Sequence, residues 1–345
     1  MSYKLSIAIP SYNRSRILDE ILWNVCNQIN RFPNECACYV IDNCSTDNTF
    51  EIVQKHQKLC PNLFYFKNEE NIGLVRNISS AITIPKSSWV WLMGDDDIPM
   101  PYAVSNILKD LEGIDDREVS FIMYEGAKVN ENNVFVTSFA KRSKAQEPMT
   151  VFKNGAEIIS VEGIHSIAWL SKLVINRPLW DQNLFDSIYR ETDLYTFVNV
   201  LLQNAISKTT IHSRKLLVIV TDRGSRAYYF SKTAIARVLE FPEIESIIIR
   251  NYGIKKAKKL LKAERVNWIS SRLIFVIKMC VFKEAYSLQM HLLKNPISPF
   301  WLERFLIRLI YFVCNFKIIS NFLKKKYIKS RGGQQFDIAN INKIS

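Results

Sequence analysis

The chain has 345 residues, 48% of them hydrophobic and 23% charged, which is enough to form a large core. Its seven cysteines are an odd number without a CxxC pair, and it has only four histidines, which argues for free thiols in a reducing compartment and against a zinc site. Lys4–Pro10 already has the pattern of a strand, so the N-terminus does not resemble a signal peptide and we expect a cytoplasmic protein.

The net charge of +13 is unevenly distributed along the chain. Residues 1–225 carry 23 Lys and Arg against 26 Asp and Glu, whereas residues 226–345 carry 23 against 7. A nucleic-acid-binding domain is expected to place its positive charge on its folded body. The asymmetry therefore predicts an N-terminal domain over 1–225 and a basic helical region over 226–331 with a different task, followed by a tail, 332–345, that we expect to be disordered.

Four strand and helix units follow one another from the N-terminus. The predicted strands are Leu5–Pro10, Cys38–Ile41, Leu63–Phe66 and Trp89–Met93, and each precedes a polar loop and a segment with helical spacing. Parallel strands require crossover connections of this kind. The alternation therefore predicts an α/β fold with a doubly wound, mostly parallel sheet.

The fourth predicted strand runs directly into Gly94 and three consecutive carboxylates, Asp95, Asp96 and Asp97. Neighbouring carboxylates repel one another unless a cation or hydrogen-bond donors offset their charge. Oxygen ligands of this kind suit Mg²⁺ or Mn²⁺, which in turn hold phosphates. An isolated acidic triplet is more typical of a solvated turn before a helix, here near Tyr102, but the other strand ends favour the metal site.

Ligands of parallel α/β sheets bind beyond the carboxyl ends of the strands. The residues predicted to lie there combine an aromatic ring, two guanidinium groups and several acids, and they are Pro10, Tyr12, Arg14, Asp42, Asp47, Arg76 and Asp95–Asp97. This set fits a nucleotide, with an apolar wall and an acid for the nucleoside and arginine and metal for the diphosphate. The sequence contains neither G-x-G-x-x-G nor G-x-x-x-x-G-K-[ST], so neither a dinucleotide fold nor a P-loop is indicated.

Four motifs in this order, SIAIPSYNR, VIDNCSTDNT, NIGLVRN and WLMGDDDIPMP, resemble the inverting family 2 glycosyltransferases with the GT-A fold. The GDDD form is similar to the subset that includes abequosyltransferase-like O-antigen enzymes. The resemblance is strong over residues 4–112 and weakens to about residue 220. It implies that Pro10, Tyr12 and Arg14 flank the nucleoside, that Asp42 meets the base, and that Arg76 approaches the phosphates.

The acidic loop departs from the family pattern, which commonly has Asp-x-Asp-Asp. Alignment on Pro101 puts Gly94 where the first acid would stand, so either Asp95 replaces that acid or one contact is lost. The resemblance implies that Asp95 lies near the ribose and that Asp96 binds the metal, with Asp97 as the second candidate.

The family takes its general base from a later acidic pair, which is interrupted here in YRETDL. Alignment on the following leucine favours Glu191, whereas an exposed carboxylate at a helix start suits Asp193 as well. Acids are also favoured at helix N-termini for electrostatic reasons, so a capping role explains either residue equally well. We expect one of the two to be the base.

The resemblance implies a direct displacement with inversion of the anomeric carbon. A carboxylate takes the proton of an acceptor hydroxyl, whose oxygen attacks the sugar, and the nucleoside diphosphate leaves with its charge held by Mn²⁺ or Mg²⁺ and Arg76. The donor would be a nucleoside-diphosphate sugar. The acceptor would be a glycan, expected to be lipid-linked, in surface polysaccharide synthesis.

The last third of the chain has helical spacing without strand signals. Lys255–Lys262 is a basic block, and charges interrupt the apolar stretches Trp268–Phe282 and Phe300–Leu323, so neither stretch is a credible membrane span. Apolar and basic side chains together predict helices lying on an anionic membrane surface at the inner face of the cell membrane. An ordinary helical cap, packed on the catalytic domain or on another subunit of a homo-oligomer, explains the same pattern.

Two other functions explain part of the sequence. The pI of 9.3 favours a nucleic-acid-binding protein, but the acidic loop would repel phosphate backbones, so nucleic acid is not expected as a partner. Gly94 and the interrupted acidic pair favour a catalytically silent scaffold on the same fold. Metal-dependent release of nucleoside diphosphate from a sugar donor distinguishes an enzyme from that scaffold.

Overall fold

The computed structural model describes residues 3–129, 135–138, 148–189, 195–220, 226–261 and 301–314. The strands within these residues are β1 (Tyr3–Ser11), β2 (Cys36–Asp42), β3 (Leu63–Lys67), β4 (Ser87–Leu92), β5 (Ile98–Pro99), β6 (Val119–Val129), β7 (Phe135–Ser138), β8 (Met149–Phe152), β9 (Leu173–Asn176) and β10 (Thr209–Val220). The helices are α1 (Ser15–Ile29), α2 (Thr49–Gln57), α3 (Leu74–Thr83), α4 (Ala103–Leu111), α5 (Ile159–Ile167), α6 (Gln182–Ile188), α7 (Tyr195–Ala205), α8 (Arg226–Leu260) and α9 (Trp301–Cys314).

The N-terminal half of the sheet has the predicted parallel arrangement. Strands β3, β2, β1 and β4 lie side by side in this order, and every neighbouring pair is parallel. The register places Pro10 opposite Ile41 and Ser11 opposite Asp42, so the ends of β1 and β2 are level. The α/β fold class is confirmed, and the loops after these four strands meet at one edge of the sheet.

The other half of the sheet contains antiparallel strands that the sequence did not predict. Strand β9 lies between β4 and β6 and is antiparallel to both, whereas β10 is parallel to β6 and antiparallel to β5 and β8. The four residues of β9, LVIN, are all buried. A buried run this short has no periodicity that distinguishes a strand from part of a helix.

Helices cover both faces of the parallel half. Apolar side chains on one face, among them Ile7 and Ile9 of β1, form a single core cluster with Leu18, Leu22 and Ile107 of helices α1 and α4. Alternate residues of a strand point to the opposite face, where α3 contacts β1 and β2. This layering leaves the carboxyl ends of the strands uncovered by the crossover helices.

The chain divides into two compact units, Met1–Arg226 and Ala227–Ser345. In the second unit α8 bends at Gly253, whose φ of 74° is readily adopted only by glycine. Within the residues that the structure describes, none of the helices has both the length and the apolarity needed to cross a bilayer. The stretch Trp268–Phe282 and the tail 332–345 lie outside the described residues.

Candidate active site

The loops after β1 and β4 meet at the carboxyl edge of the sheet. The Arg14 Nη1 atom lies 3.7 Å from Asp96 Oδ2, and both side chains are partly exposed. Ser11 Oγ donates a hydrogen bond of 2.9 Å to Asp95 Oδ2, and the Tyr12 N–H donates to the same carboxylate. Residues that are more than 80 positions apart in the sequence therefore form one polar site next to two carboxylates.

The Asp95 carboxylate has an unusual proton affinity. Burial, followed by the negative charge of Asp96, raises its pKa to about 6, although Arg14 and the hydrogen bonds from Ser11 and Tyr12 act in the opposite direction. Adjacent carboxylates in a partly enclosed site produce this effect because each disfavours the ionised form of the other. Carboxylates whose pKa is shifted by burial and by a neighbouring charge are typical of functional sites, which makes this loop a candidate cation-binding site.

Ser171 holds the acidic loop from the other side, and sequence reasoning missed it. Its Oγ accepts the Gly94 N–H at 2.8 Å and donates to Asp97 Oδ2 at 2.5 Å, while its carbonyl oxygen accepts the Trp91 Nε1–H at 2.9 Å. Ser171 and Asp97 are both buried. The residue belongs to a short 3-10 turn before β9, so no local signal near the acidic loop could have identified it.

Steric crowding explains why position 94 is a glycine. A Cβ atom there would lie 3.1 Å from Asp97 Oδ2, 3.2 Å from Ser171 Oγ and 3.3 Å from Asp96 Oδ1, which is tighter than ordinary contacts. Where the resembled family has its first acid, this chain therefore has a close approach of three side-chain oxygens. Asp97 and Ser171 occupy the space that a longer side chain would need.

Asp42, predicted to meet the base, is fully buried at the end of β2. Its Oδ1 accepts the Ser45 N–H at 2.9 Å, and its Oδ2 accepts the Tyr65 hydroxyl at 2.5 Å. Burial and Asp42 together raise the pKa of Tyr65, so the phenol remains a donor. The carboxylate thus fixes the turn after β2 in this structure, and its contact with a base stays a prediction.

The other residues predicted around the nucleoside lie in the same region. Pro10 is buried in β1, whereas the Tyr12 ring is 42% exposed and accessible to a ligand. Asp47 acts through its hydrogen bonds, because it accepts the Ser15 N–H at 2.9 Å and both the N–H and the hydroxyl of Thr49. It therefore links the start of α1 to the start of α2.

A network of asparagines joins the loops after β2 and β3, and sequence reasoning missed it too. The buried Asn43 donates to Asn71 Oδ1 at 2.7 Å, and its Oδ1 accepts from the Ile72 N–H and from Asn68 Nδ2. Asn68 also donates to Asn77 of α3. These uncharged groups fix the loop that leads into α3, which carries Arg76.

Arg76 is exposed on α3, and its guanidinium carbon lies 4.3 Å from the centroid of the Tyr189 ring. This is a cation–π contact between the predicted phosphate-binding arginine and the residue that precedes the predicted base segment. Glu191 and Asp193 themselves lie outside the described residues. Their role stays a prediction, as does the approach of Arg76 to phosphates.

The described part of the chain contains no group of three or more His, Cys, Asp and Glu side chains arranged to hold a metal ion. Mg²⁺ in phosphate-transfer sites is held by one or two carboxylates, with phosphate and water oxygens as the other ligands. The neighbouring carboxylates of Asp95 and Asp96 fit such a site by chemistry and number. The metal roles of Asp96 and Asp97 stay predictions.

Comparison with known proteins agrees with the fold described above. Residues 6–156 match the family described as "Glycosyl transferase family 2". Over these residues, which are somewhat under half of the chain, the protein is similar to the family 2 glycosyltransferases. The resemblance to glycosyltransferases that the sequence motifs predict is confirmed. The relatives described next are also glycosyltransferases, in agreement with this assignment.

One relative of this glycosyltransferase is the abequosyltransferase RfbV of Salmonella typhimurium, which is 25% identical over 68% of this chain and 71% of the relative. Another is the poly(ribitol-phosphate) β-N-acetylglucosaminyltransferase TarS of Staphylococcus aureus, 28% identical over 74% of this chain but only 42% of TarS. The structure of S. aureus TarS residues 1–349 in complex with UDP-GlcNAc superposes with a TM-score of 0.58 at 16% identity, covering 96% of this chain and 93% of that one. This likeness supports the GT-A type of fold.

Proposed function

We propose that this glycosyltransferase moves a sugar from a nucleoside-diphosphate sugar to a hydroxyl group of a glycan acceptor, with inversion and with Mg²⁺ or Mn²⁺. The observation that carries the proposal is the meeting of Arg14 with Asp96, beside Asp95 and Ser11, at the carboxyl ends of β1 and β4. A guanidinium group and a pair of carboxylates side by side suit a metal diphosphate, which carries both signs of charge. A TarS fragment of similar fold binds UDP-GlcNAc, which supports a nucleotide-sugar donor.

The roles of the residues follow from their positions. Asp96 would hold the metal, with Asp95 and Asp97 beside it, and Tyr12 offers an exposed ring to the nucleoside. The bound cation would stabilise the charge of the departing diphosphate. Arg76 would bind the same diphosphate from α3.

Glu191 or Asp193 would accept the proton of the acceptor hydroxyl. Both follow Tyr189 in the sequence by at most four positions, and Tyr189 contacts Arg76. Direct attack by the activated hydroxyl inverts the anomeric centre in one step.

Donor hydrolysis tests this proposal without knowledge of the acceptor. Purified protein is incubated with a panel of UDP-, GDP-, CDP- and dTDP-sugars and Mn²⁺ or Mg²⁺, and the released nucleoside diphosphate is measured. Asp96→Asn should lower the release by about 10²–10³-fold, the size expected when a charge-stabilising group is removed. Asp115→Asn, which changes an exposed aspartate paired with Arg117, should behave like the parent protein.

Two results would contradict the proposal. One is the absence of metal-dependent release from every donor in the panel, which favours the silent scaffold. The other is equal release by Asp96→Asn and the parent protein. A proton-acceptor role is tested separately, because Glu191→Gln and Asp193→Asn should differ strongly in transfer rate if only one is the base.

The acceptor is proposed to be lipid-linked and to be reached at the inner face of the cell membrane, where the protein would bind peripherally. Helix α9 supports this proposal, because Phe305, Leu309 and Phe312 recur at helical spacing and are 55%, 44% and 62% exposed. Arg308 is exposed on the same helix. Exposed aromatic and aliphatic side chains next to a cation are typical of helices in the bilayer interface.

The end of α8 contributes positive charge. Its exposed lysines lie after the bend at Gly253, and they are Lys255, Lys256, Lys258 and Lys259. Each basic residue near an anionic membrane surface contributes about 1 kcal/mol of attraction. The lysines on α8 and the apolar stripe on α9 therefore both favour an anionic lipid surface as the partner.

Liposome flotation tests the membrane proposal. The full chain should float with vesicles containing anionic lipid and remain at the bottom with neutral vesicles. Changing Phe305, Leu309 and Phe312 together to serine should abolish flotation and leave donor hydrolysis unchanged. Leu59→Ser is the control and should not reduce flotation, because Leu59 is 63% exposed but lies in the first unit. Undiminished flotation of the triple variant would refute α9 as the contact.

A further inference from the structure

Arg76 is held by an aromatic ring rather than left free at the surface. Its guanidinium carbon lies 4.3 Å from the centroid of the Tyr189 ring, although the arginine is exposed and lies in the first turn of α3. An arginine stacked on a ring uses the flat face of the guanidinium group, so its N–H donors remain directed outward from the edges. Such a guanidinium can bind a diphosphate while it stays in contact with the ring.

Tyr189 is itself supported by a row of rings. Its ring lies 5.6 Å from that of Phe185, which lies 6.0 Å from Trp180, and Trp180 stacks on Phe197 at 5.8 Å. Phe185, Trp180 and Phe197 are all buried. The row therefore connects the buried helix α7 to the exposed guanidinium group of Arg76 through packed aromatic contacts.

A second contact joins helix α3, which carries Arg76, to helix α6, which directly precedes Tyr189. Ser79 Oγ donates to Gln182 Oε1 at 2.8 Å, and the Trp180 Nε1–H donates to the same oxygen at 3.0 Å. Ser79 lies three positions after Arg76, so both contacts of α3 are on one face of that helix. The half-buried Tyr189 ring, which directly follows α6, therefore packs between Arg76 and the buried Phe185.

We propose that Tyr189 is a positioning residue for donor binding: its ring orders the Arg76 guanidinium before a diphosphate arrives. This inference rests on the proposed function, since Arg76 is assigned to the donor diphosphate there. Ordering the side chain in advance reduces the entropy lost on binding, because arginine otherwise has many rotamers. The expected consequence is tighter donor binding with little effect on the rate of the chemical step.

The experiment compares a variant that keeps the ring with one that removes it. Tyr189→Phe should bind and turn over the donor like the parent protein. Tyr189→Leu should raise the donor KM about twofold to fivefold, as expected for a cation–π contact at an exposed arginine, with kcat nearly unchanged. Tyr39→Leu, which removes a half-buried tyrosine packed 5.0 Å from Phe64, controls for the general cost of losing such a ring. Tyr189→Met is a second variant without the ring if the leucine variant folds poorly.

A double-mutant cycle with Arg76→Ala decides whether Tyr189 acts through the arginine. In the Arg76→Ala background, Tyr189→Leu should have no further effect on donor affinity. An additive effect in that background, or unchanged affinity of Tyr189→Leu alone, would overturn the inference.

Calorimetric binding of magnesium pyrophosphate separates this inference from the proposed function. If no sugar donor is turned over but pyrophosphate binding follows the same pattern in the cycle, the proposed function fails and the inference holds. If the parent protein does not bind pyrophosphate, the inference fails as well.

Discussion

The carboxyl edge of the sheet is stabilised in two different ways. In the asparagine network before α3 the hydrogen bonds join uncharged groups, and Asn43 alone joins Asn68, Asn71 and Ile72. The loop after β4 instead holds three consecutive carboxylates, contacted by Ser11 on one side and Ser171 on the other. Amides satisfy one another without net charge, so the first region can be rigid without a ligand. The second retains negative charge, which a bound cation would compensate.

Asn43→Ala should disrupt the asparagine network and give the largest loss of stability. The substitution removes a buried amide together with its three hydrogen bonds, which join it to the Ile72 N–H, Asn68 Nδ2 and Asn71 Oδ1. One hydrogen bond contributes about 1 kcal/mol to stability, so we expect the loss of three to lower the free energy of unfolding by about 3 kcal/mol. Urea denaturation measures this change.

The control for this prediction is Asn24→Ala in α1, because Asn24 makes an exposed hydrogen bond to a carbonyl of its own helix. Its loss should change the free energy of unfolding by less than about 0.5 kcal/mol. Equal effects of the two alanine substitutions would show that the asparagine network does not stabilise the fold.

Gly94→Ala should give the next largest effect, within the acidic loop. The added methyl group would lie 3.1–3.3 Å from oxygens of Asp97, Ser171 and Asp96. Asp97 and Ser171 are buried and hydrogen-bonded to each other. Crowding of this kind costs about 1–2 kcal/mol. Gly113→Ala is the matched control, because nothing lies within 4 Å of its added methyl group, and the free energy of unfolding should stay equal or rise by about 0.5 kcal/mol. A stability loss at Gly113 as large as that at Gly94 would rule out the crowding explanation.

A smaller, pH-dependent effect is expected at Asp47. Burial raises its pKa, but hydrogen bonds from Thr49 and from Ser15 outweigh burial and hold the pKa below the ordinary value of 3.8. The charged carboxylate therefore stabilises the fold above that pH, and this contribution is lost as the pH falls through the folded-state pKa. Asp47→Asn should lower the free energy of unfolding by about 1 kcal/mol near neutral pH, because hydrogen bonds to a charged acceptor are stronger than those to a neutral amide.

The difference between Asp47→Asn and the parent protein should shrink as the pH falls below the ordinary carboxylate pKa. Urea denaturation at a series of pH values measures it. The exposed Glu112→Gln serves as the control and should change the free energy of unfolding by less than about 0.5 kcal/mol near neutral pH. A difference for Asp47→Asn that does not depend on pH would contradict the assigned hydrogen bonds.

The parallel half of the fold could be predicted from local signals. The predicted strand Leu5–Pro10 is within one residue of the C-terminal end of β1, and Leu63–Phe66 has the same start as β3. Each run is apolar and followed by polar loop residues, which is how a buried strand ends. Strand β9 could not be predicted, because its position between β4 and β6 depends on pairings with residues 50 or more positions away.

The candidate site was predictable only in part, because sequence motifs show which polar residues follow the strands but not what they contact. Asp42 and Asp47 belong to one polar run, and the structure uses both to fix turns. Ser171 is 77 positions from Gly94, so its hydrogen bond exists only once the strand order is known. The asparagines of the loop before α3 are similarly ordinary turn residues in the sequence.

Asp96→Asn should give the smallest change in stability, in contrast to Asn43→Ala in the asparagine network. The substitution removes a weak ion pair with Arg14 at 3.7 Å, but it also removes the repulsion that raises the pKa of Asp95. Because partly exposed ion pairs contribute about 0–1 kcal/mol, these effects should nearly cancel, and the free energy of unfolding should change by less than about 1 kcal/mol. Denaturation in a metal-free buffer measures this. A large destabilisation would mean that Asp96 supports the fold, and the loss of donor hydrolysis in the same variant could then no longer be attributed to charge at the site.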